Sequence, residues 1–315
     1  MRQQAWGAYW ATGALHSCVT SYDGNYAGEI AKFWVKEFEN LPKHSRVLDL
    51  ATGNGAIPKL LLDIRGNEVQ IDGVDASQIS PRWLELEKHG RIRFWPKVWM
   101  ERLPFPDNTF DCVCSQFGIE YAERPAAWLE ALRVLKTGGR LHCVLHHKDS
   151  VLTQVATREQ AQCAWLLGEE GLLPAAMHLA PWWMRARNGA AGQQLGDEAE
   201  RARARFNKVQ ARLAELIQQD GVVDLLIQSR TSVQSILVNA EDPCHALQTY
   251  AKHLSESELR CAELVQCALT PNDMSNLKES LSSYCPGVQI DFGEISQAEG
   301  LLAWGLTLSK LARTA

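Results

Sequence analysis

The sequence predicts an α/β fold: a seven-stranded, mostly parallel sheet in the order 3-2-1-4-5-7-6, helices on both faces, and a large helical insertion between strands five and six. Three observations carry this. Short apolar runs alternate with helical windows from Arg46 to His147, which calls for right-handed βαβ units. From 151 to 286 the pattern turns almost wholly helical. Strand character then returns as a pair at 288–295 and 301–311, suited to closing a sheet with an antiparallel strand.

Element by element, RVLDL (46–50) reads as strand one, GAIPKLLLD (55–63) as a helix and EVQIDGVD (68–75) as strand two. SPRWLELEKHG (80–90) reads as a helix stopped by glycine, RIRFW (91–95) as strand three and FDCVCSQ (110–116) as strand four. PAAWLEALRVL (125–135) opens on a helix-starting proline and ends before TGG, a stop signal. GRLHCVLHH (139–147) is strand five. Within the insertion, helices are expected over 151–169, 196–219, 221–239, 244–252, 255–267 and 271–284, with an irregular linker at 168–184. The first 40 residues, rich in Trp and Tyr, read as an arm or lid with a helix near 26–38. The expected organisation is an arm (1–40), a ligand-binding domain (41–150 with 287–315) and the insertion (151–286) as a substrate cap; an independent C-terminal domain is the competing account.

Composition narrows the class. Apolar residues make up 46% and charged residues 22% of 315, which disfavours disorder and fibres. The net charge of −5 lacks the basic excess of a dedicated nucleic-acid binder. Nine cysteines without a CxxC pair suit reduced thiols, neither signal nor membrane segment is read, and a cytoplasmic location is the default expectation.

The chemistry sits in VLDLATGNGA (47–56). Asp49 ends a strand, Gly53 and Gly55 permit a tight turn and close approach of a ligand, and Asp75 closes the next strand twenty residues beyond Gly55. An acid at that place can accept hydrogen bonds from two vicinal ribose hydroxyls. The third glycine of a dinucleotide fingerprint would be Pro58, and a carboxylate at Asp49 would repel a pyrophosphate while suiting a cationic amino-acid moiety.

These residues resemble the class I S-adenosylmethionine-dependent methyltransferases. DLATGNG (49–55) looks like that family's first motif, Asp75 matches its ribose acid, LPFPDNTFDCV (103–113) leads into strand four, and LEALRVLKTGGRLHCV (129–144) matches the helix, turn and strand that follow. The resemblance covers about 46–147 and implies a Rossmann-like methyltransferase sheet with S-adenosyl-L-methionine as cofactor. The subgroup it is most similar to methylates quinones, sterols and other small metabolites.

The residues expected at the cofactor are Tyr22, Asp49, Ala51, Gly53, Asn54, Gly55, Asp75, Ala76, Trp99, Met100, Glu101, Ser115 and Gln116. Ala51 stands where many members have glycine. Trp99 replaces the acid that commonly binds the adenine amino group, and either stacks on the base or packs in the core. The strand-four exit SQFG (115–118) lacks Asn-Pro-Pro-Tyr, which counts against amide or exocyclic-amine acceptors. Phe117, Tyr121, His147, Trp182, Trp183 and Arg185 are the substrate-side candidates, with Phe117 equally suited to core packing and Glu120 a further wall candidate. His16, His146 and Tyr26 are the catalytic candidates, and a structural role competes for each histidine. No metal ligand set is read. The expected activity is methyl transfer by in-line displacement to a small, partly apolar or aromatic metabolite, with a small-molecule partner, no nucleic acid and a homodimer as a further option. RNA or protein methylation and non-catalytic cofactor binding are the alternatives.

Overall fold

The structure, a computed structural model, describes residues 2–17, 24–85, 89–187, 196–219, 221–222 and 224–311. Tyr22 lies outside them. The chain forms two compact units, residues 1–154 with 263–315 and residues 155–262.

The first unit holds a seven-stranded sheet in the order β3-β2-β1-β4-β5-β7-β6. Its strands are β1 (Arg46–Leu50), β2 (Gln70–Asp75), β3 (Ile92–Pro96), β4 (Phe110–Gln116), β5 (Leu135–His146), β6 (Val288–Gln297) and β7 (Gly300–Lys310). The first five pair in parallel, and β7 runs antiparallel to both of its neighbours. This is the expected topology. Val47, Leu48 and Leu50 of β1 and Val113 and Cys114 of β4 are wholly buried, so the middle of the sheet carries the near-continuous apolar run of a strand covered on both faces.

Helices α1 (Arg2–Ala11), α2 (Gly28–Glu39), α3 (Ala56–Arg65), α4 (Ala126–Val134) and α10 (Pro271–Tyr284) complete this unit. Trp34 and Phe38 of α2 pack with Ile57 and Leu61 of α3 on one face; Trp128 and Leu132 of α4 join Met274, Leu277 and Leu281 of α10 on the other. Thr270 and Asp273 form a reciprocal capping box that starts α10. Residues 263–284 therefore fold with the sheet, and the separate helical unit is shorter than the 151–286 span read as the insertion.

Three local expectations are corrected. The helix expected over 80–90 is absent among the described residues: Trp83 Nε1 donates to the Asn54 carbonyl at 2.7 Å, which holds the segment as a turn beside the glycine loop. The expected linker 168–184 mostly forms α6 (Leu172–Arg187), with Pro181 inside it. Six of its residues, among them Leu172, Leu173 and Ala180, are buried, and that burial outweighs the missing amide. The expected helices 244–252 and 255–267 are one, α9 (Pro243–Cys267). The Ser255 hydroxyl donates to the Ala251 carbonyl at 3.1 Å, so the polar SESE stretch stays helical.

The second unit contains α6, α7 (Gly196–Gln219), α8 (Asp224–Asn239), most of α5 (Val151–Leu167) and the greater part of α9. Its core gathers Cys163, Leu166, Leu179, Leu213, Val233 and Leu247. The charged α7 buries Ala199, Ala202, Val209 and Leu213 on one stripe and leaves its remaining face polar. No helix among the described residues is long and apolar enough to cross a membrane.

Candidate active site

The carboxyl ends of β1, β2 and β4 open into one cleft. Sheets of this kind bind ligands at such an edge, where the strand order reverses direction. Asp49 approaches it from β1, Asp75 ends β2, and Gln116 ends β4. The turn between β1 and α3 carries Ala51 at φ 54° and Gly53 at φ 52°, both left-handed. Ala51 thus adopts the conformation of the glycine it replaces. Gly118 makes room for it, since a Cβ at 118 would lie 2.5 Å from the Ala51 methyl.

Burial governs the two acids. Asp49 is almost fully enclosed, and desolvation pushes its carboxyl up to about 7 despite the neighbouring Cys114 thiol. The Cys114 thiol lies 3.6 Å from Asp49 Oδ1. The Asp75 carboxyl is also raised by desolvation, although Oδ2 accepts the Gly53 N–H at 2.9 Å and Oδ1 accepts the Ser77 N–H at 2.7 Å. Asp75 therefore braces the glycine turn, and each oxygen retains a lone pair for a ligand hydroxyl.

Helix α1 supplies a wall that the sequence reading did not resolve. Trp6 stacks on Trp10 with centroids 5.9 Å apart and meets the edge of Tyr121 at 6.0 Å. Trp10 lies so close to the turn that a Cβ on Gly53 would come within 2.6 Å of its ring. Asn54 holds this helix: its Nδ2 donates to the carbonyls of Trp10 at 2.9 Å and Ala14 at 2.8 Å, and its Oδ1 accepts the Ser80 N–H. Asn54, expected at the cofactor, is spent on the arm.

Of the other expected residues, His16, Tyr26, Ala76, Trp99, Met100, Glu101, Phe117 and Tyr121 line the cleft. His16 stacks on Tyr26 at 4.3 Å, and burial holds its imidazole down to about 4, neutral at pH 7. Trp99 is 49% exposed, which places it at the rim and not in the core. Gly55 ends the turn in the left-handed region just before α3. Ser115 does not line the cleft; its hydroxyl donates to the Leu50 carbonyl and accepts the Ile119 N–H, joining β1 to the turn after β4.

His146, which ends β5, and His147, just beyond it, do not line the cleft. His146 lies behind Phe117, its ring parallel at 4.2 Å, and burial lowers it to about 3. His147 faces Trp304 at 4.3 Å, with Nε2 3.6 Å from Glu294. Glu120 stands beside His146, accepts its backbone N–H at 2.9 Å and is pushed up to about 7 by burial. Trp182, Trp183 and Arg185 belong to the second unit, where the Arg185 guanidinium sits 4.9 Å over the Trp182 ring.

Comparison with known proteins places this geometry in context. Residues 48–143 match a family model described as a methyltransferase domain. The ubiquinone/menaquinone biosynthesis C-methyltransferase UbiE of Pseudomonas savastanoi pv. phaseolicola is 33% identical over 139 residues, covering 40% of this chain and 54% of the relative. The same enzyme of Pseudomonas paraeruginosa is 33% identical over 148 residues, covering 43% and 57%. The chain thus spans little more than half the length of these relatives. Among solved structures, the YcgJ protein of Bacillus subtilis is 26% identical with a TM-score of 0.34, covering 41% of this chain and 58% of that one. A SAM-dependent methyltransferase of Aquifex aeolicus is 25% identical with a TM-score of 0.34, covering 38% and 65%.

Proposed function

The chain carries a domain of the class I S-adenosylmethionine-dependent methyltransferase family, and from that premise we propose that its cleft transfers the methyl group of S-adenosyl-L-methionine to a small, partly apolar or aromatic metabolite. The observation that carries this reading is the convergence of Asp49, the glycine turn and Asp75 at one sheet edge, in a cleft walled by aromatic rings.

The residues fit the cofactor. Asp49 would hold its ammonium group and Asp75 its ribose hydroxyls, with Ala76, Trp99, Met100 and Glu101, which line the same cleft, available to the base. When bound, the cofactor supplies a methyl on a sulfonium: the acceptor's electron pair forms the new bond while the carbon–sulfur pair stays on sulfur. The chain's contribution is then to hold the acceptor in line and to keep water out. Phe117, Tyr121, Tyr26 and the α1 tryptophans shape that space. His16, neutral at pH 7, is the lining imidazole positioned to take a proton from an acceptor that carries one. Its low basicity suits an acceptor made acidic by the reaction. Catalysis by His146 is not part of this proposal, because its ring lies behind Phe117. That both curated relatives are C-methyltransferases favours a carbon acceptor on an electron-rich ring.

Two measurements test the cofactor assignment. Asp75→Asn weakens S-adenosylhomocysteine binding at least about tenfold in calorimetry, since one charge-assisted hydrogen bond is worth roughly 1.5–3 kcal/mol. Unchanged affinity in the folded variant removes the ribose role. Wild-type affinity also depends on pH. Binding of an ammonium group needs ionised Asp49, whose carboxyl titrates near 7 when free, so affinity falls by about tenfold from pH 8 to pH 6. A flat profile there contradicts the pairing.

A further inference from the structure

The aromatic wall on α1 is gripped from outside the cleft. Trp6 and Trp10 stack at 5.9 Å, and Trp10 in turn lies against the glycine turn at Gly53. The outer ring of this pair has a fixed partner: Trp6 Nε1 donates to Glu263 Oε2 at 3.1 Å. Trp6 and Trp10 line the cleft, whereas Glu263 does not. An indole nitrogen only donates, so with its one polar hydrogen given to Glu263, Trp6 presents carbon surface to the cleft.

Glu263 is half-buried and lies near the end of α9. That end is tied to the sheet within the first unit. Lys148 Nζ donates to the Val265 carbonyl at 2.8 Å. The Leu269 N–H donates to the His146 carbonyl at 2.8 Å, and the Lys148 N–H to the Leu269 carbonyl at 2.9 Å. The end of β5 thus holds the turn that carries the carboxylate, and the carboxylate holds α1. A helix of 10 residues is too short to keep its place in water unaided, so α1 depends on such holds.

We propose that Glu263 is a positioning residue for cofactor binding: it holds Trp6 by the indole N–H, Trp6 holds Trp10 by stacking, and Trp10 covers the glycine turn. Resting on the methyltransferase reading above, this adds to the site a residue that lies outside the cleft, 257 positions along the chain from the ring it holds. A carboxylate suits the task, because a hydrogen bond to an ionised acceptor is roughly twice as strong as a neutral one. Side chains that support a binding wall in this way set how closely it stays in the geometry the ligand needs. Cofactor release requires that wall to open, so a weaker hold is felt mainly in the dissociation rate.

The test measures S-adenosylhomocysteine binding to the full chain by calorimetry and stopped flow. Glu263→Ala is expected to lower affinity about fivefold, chiefly through faster dissociation. Glu263→Gln keeps an oxygen that accepts from the indole and stays within about twofold of the wild type. Alanine is the better helix former, so a role confined to the stability of α9 predicts no loss in Glu263→Ala. Trp6→Phe keeps a ring but removes the donor, and is expected to lose affinity to the same degree. In that background Glu263→Ala changes affinity by less than about twofold, since the bond is already gone. Wild-type affinity in Glu263→Ala overturns the proposal. So do equal losses in Glu263→Gln and Glu263→Ala, because an acceptor remains in only one of them. Losses that multiply in the double variant mean that the two residues act independently, and overturn it as well. Failure of the wild-type protein to bind S-adenosylhomocysteine at all defeats the cofactor reading instead.

Discussion

Asp49→Asn is expected to stabilise the ligand-free protein at pH 8 and to weaken its binding of S-adenosylhomocysteine. Burial raises the Asp49 carboxyl from 3.8 to about 7 in the folded chain. A carboxyl raised on folding opposes the folded state wherever it is ionised. That cost is absent below the unfolded value, grows between about 4 and 7, and is complete above 7. At roughly 1.4 kcal/mol per pH unit, its full size is of order 4 kcal/mol. Asparagine carries no charge and escapes it, so the melting temperature rises by about several degrees at pH 8 and hardly at all near pH 4. Scanning calorimetry at the two pH values checks this, and a difference that does not change with pH contradicts it. The same substitution removes the anionic partner of the cofactor's ammonium group, with at least about a tenfold loss of affinity. Stability and binding therefore move in opposite directions, as expected where a site retains an unfavourable buried charge for its ligand.

The second large effect belongs to Asn54. Its side chain makes three buried or half-buried hydrogen bonds, two to the carbonyls of Trp10 and Ala14 and one from the Ser80 N–H. Alanine removes all three and leaves carbonyls at the end of α1 without that partner, a loss of about 3 kcal/mol. The effect is expected to be local opening. Hydrogen exchange of residues 2–17 accelerates about a hundredfold while the amides of β1 and β4 keep their protection. With the Trp6 and Trp10 wall less populated, cofactor affinity falls too. Equal acceleration across the sheet means instead that Asn54 supports the whole unit, and that α1 is not separately latched.

The parts of this protein legible in its sequence are those whose signals are local. Alternating strands and helices, the antiparallel pair at the end, and Asp49, the glycine turn and Asp75 in one βαβ unit are all short-range patterns. A strand's two covered faces and a turn's left-handed residues impose composition on the segment itself. The order of the seven strands follows from them, because crossover handedness leaves few topologies open. Helix α6 broke the pattern: its two prolines read as a linker, and only the burial of Leu172, Leu173 and Ala180 keeps Pro181 inside a helix.

The site's walls were decided by tertiary structure. Helix α1 shows no strong apolar stripe, and its partners lie at a distance along the chain: Asn54 reaches 44 residues back to Trp10. What packs against the end of a strand is invisible in the sequence, so His146 and His147 looked equally able to enter the cleft, whereas one lies behind Phe117 and the other beside Trp304. The direction of the Gln116 amide is fixed by Trp34, 82 residues away. Local propensity acts on the chain near each residue, but the orientation of a buried polar group is chosen by whatever packing brings against it, because leaving it unpaired there costs more than bending the chain toward it.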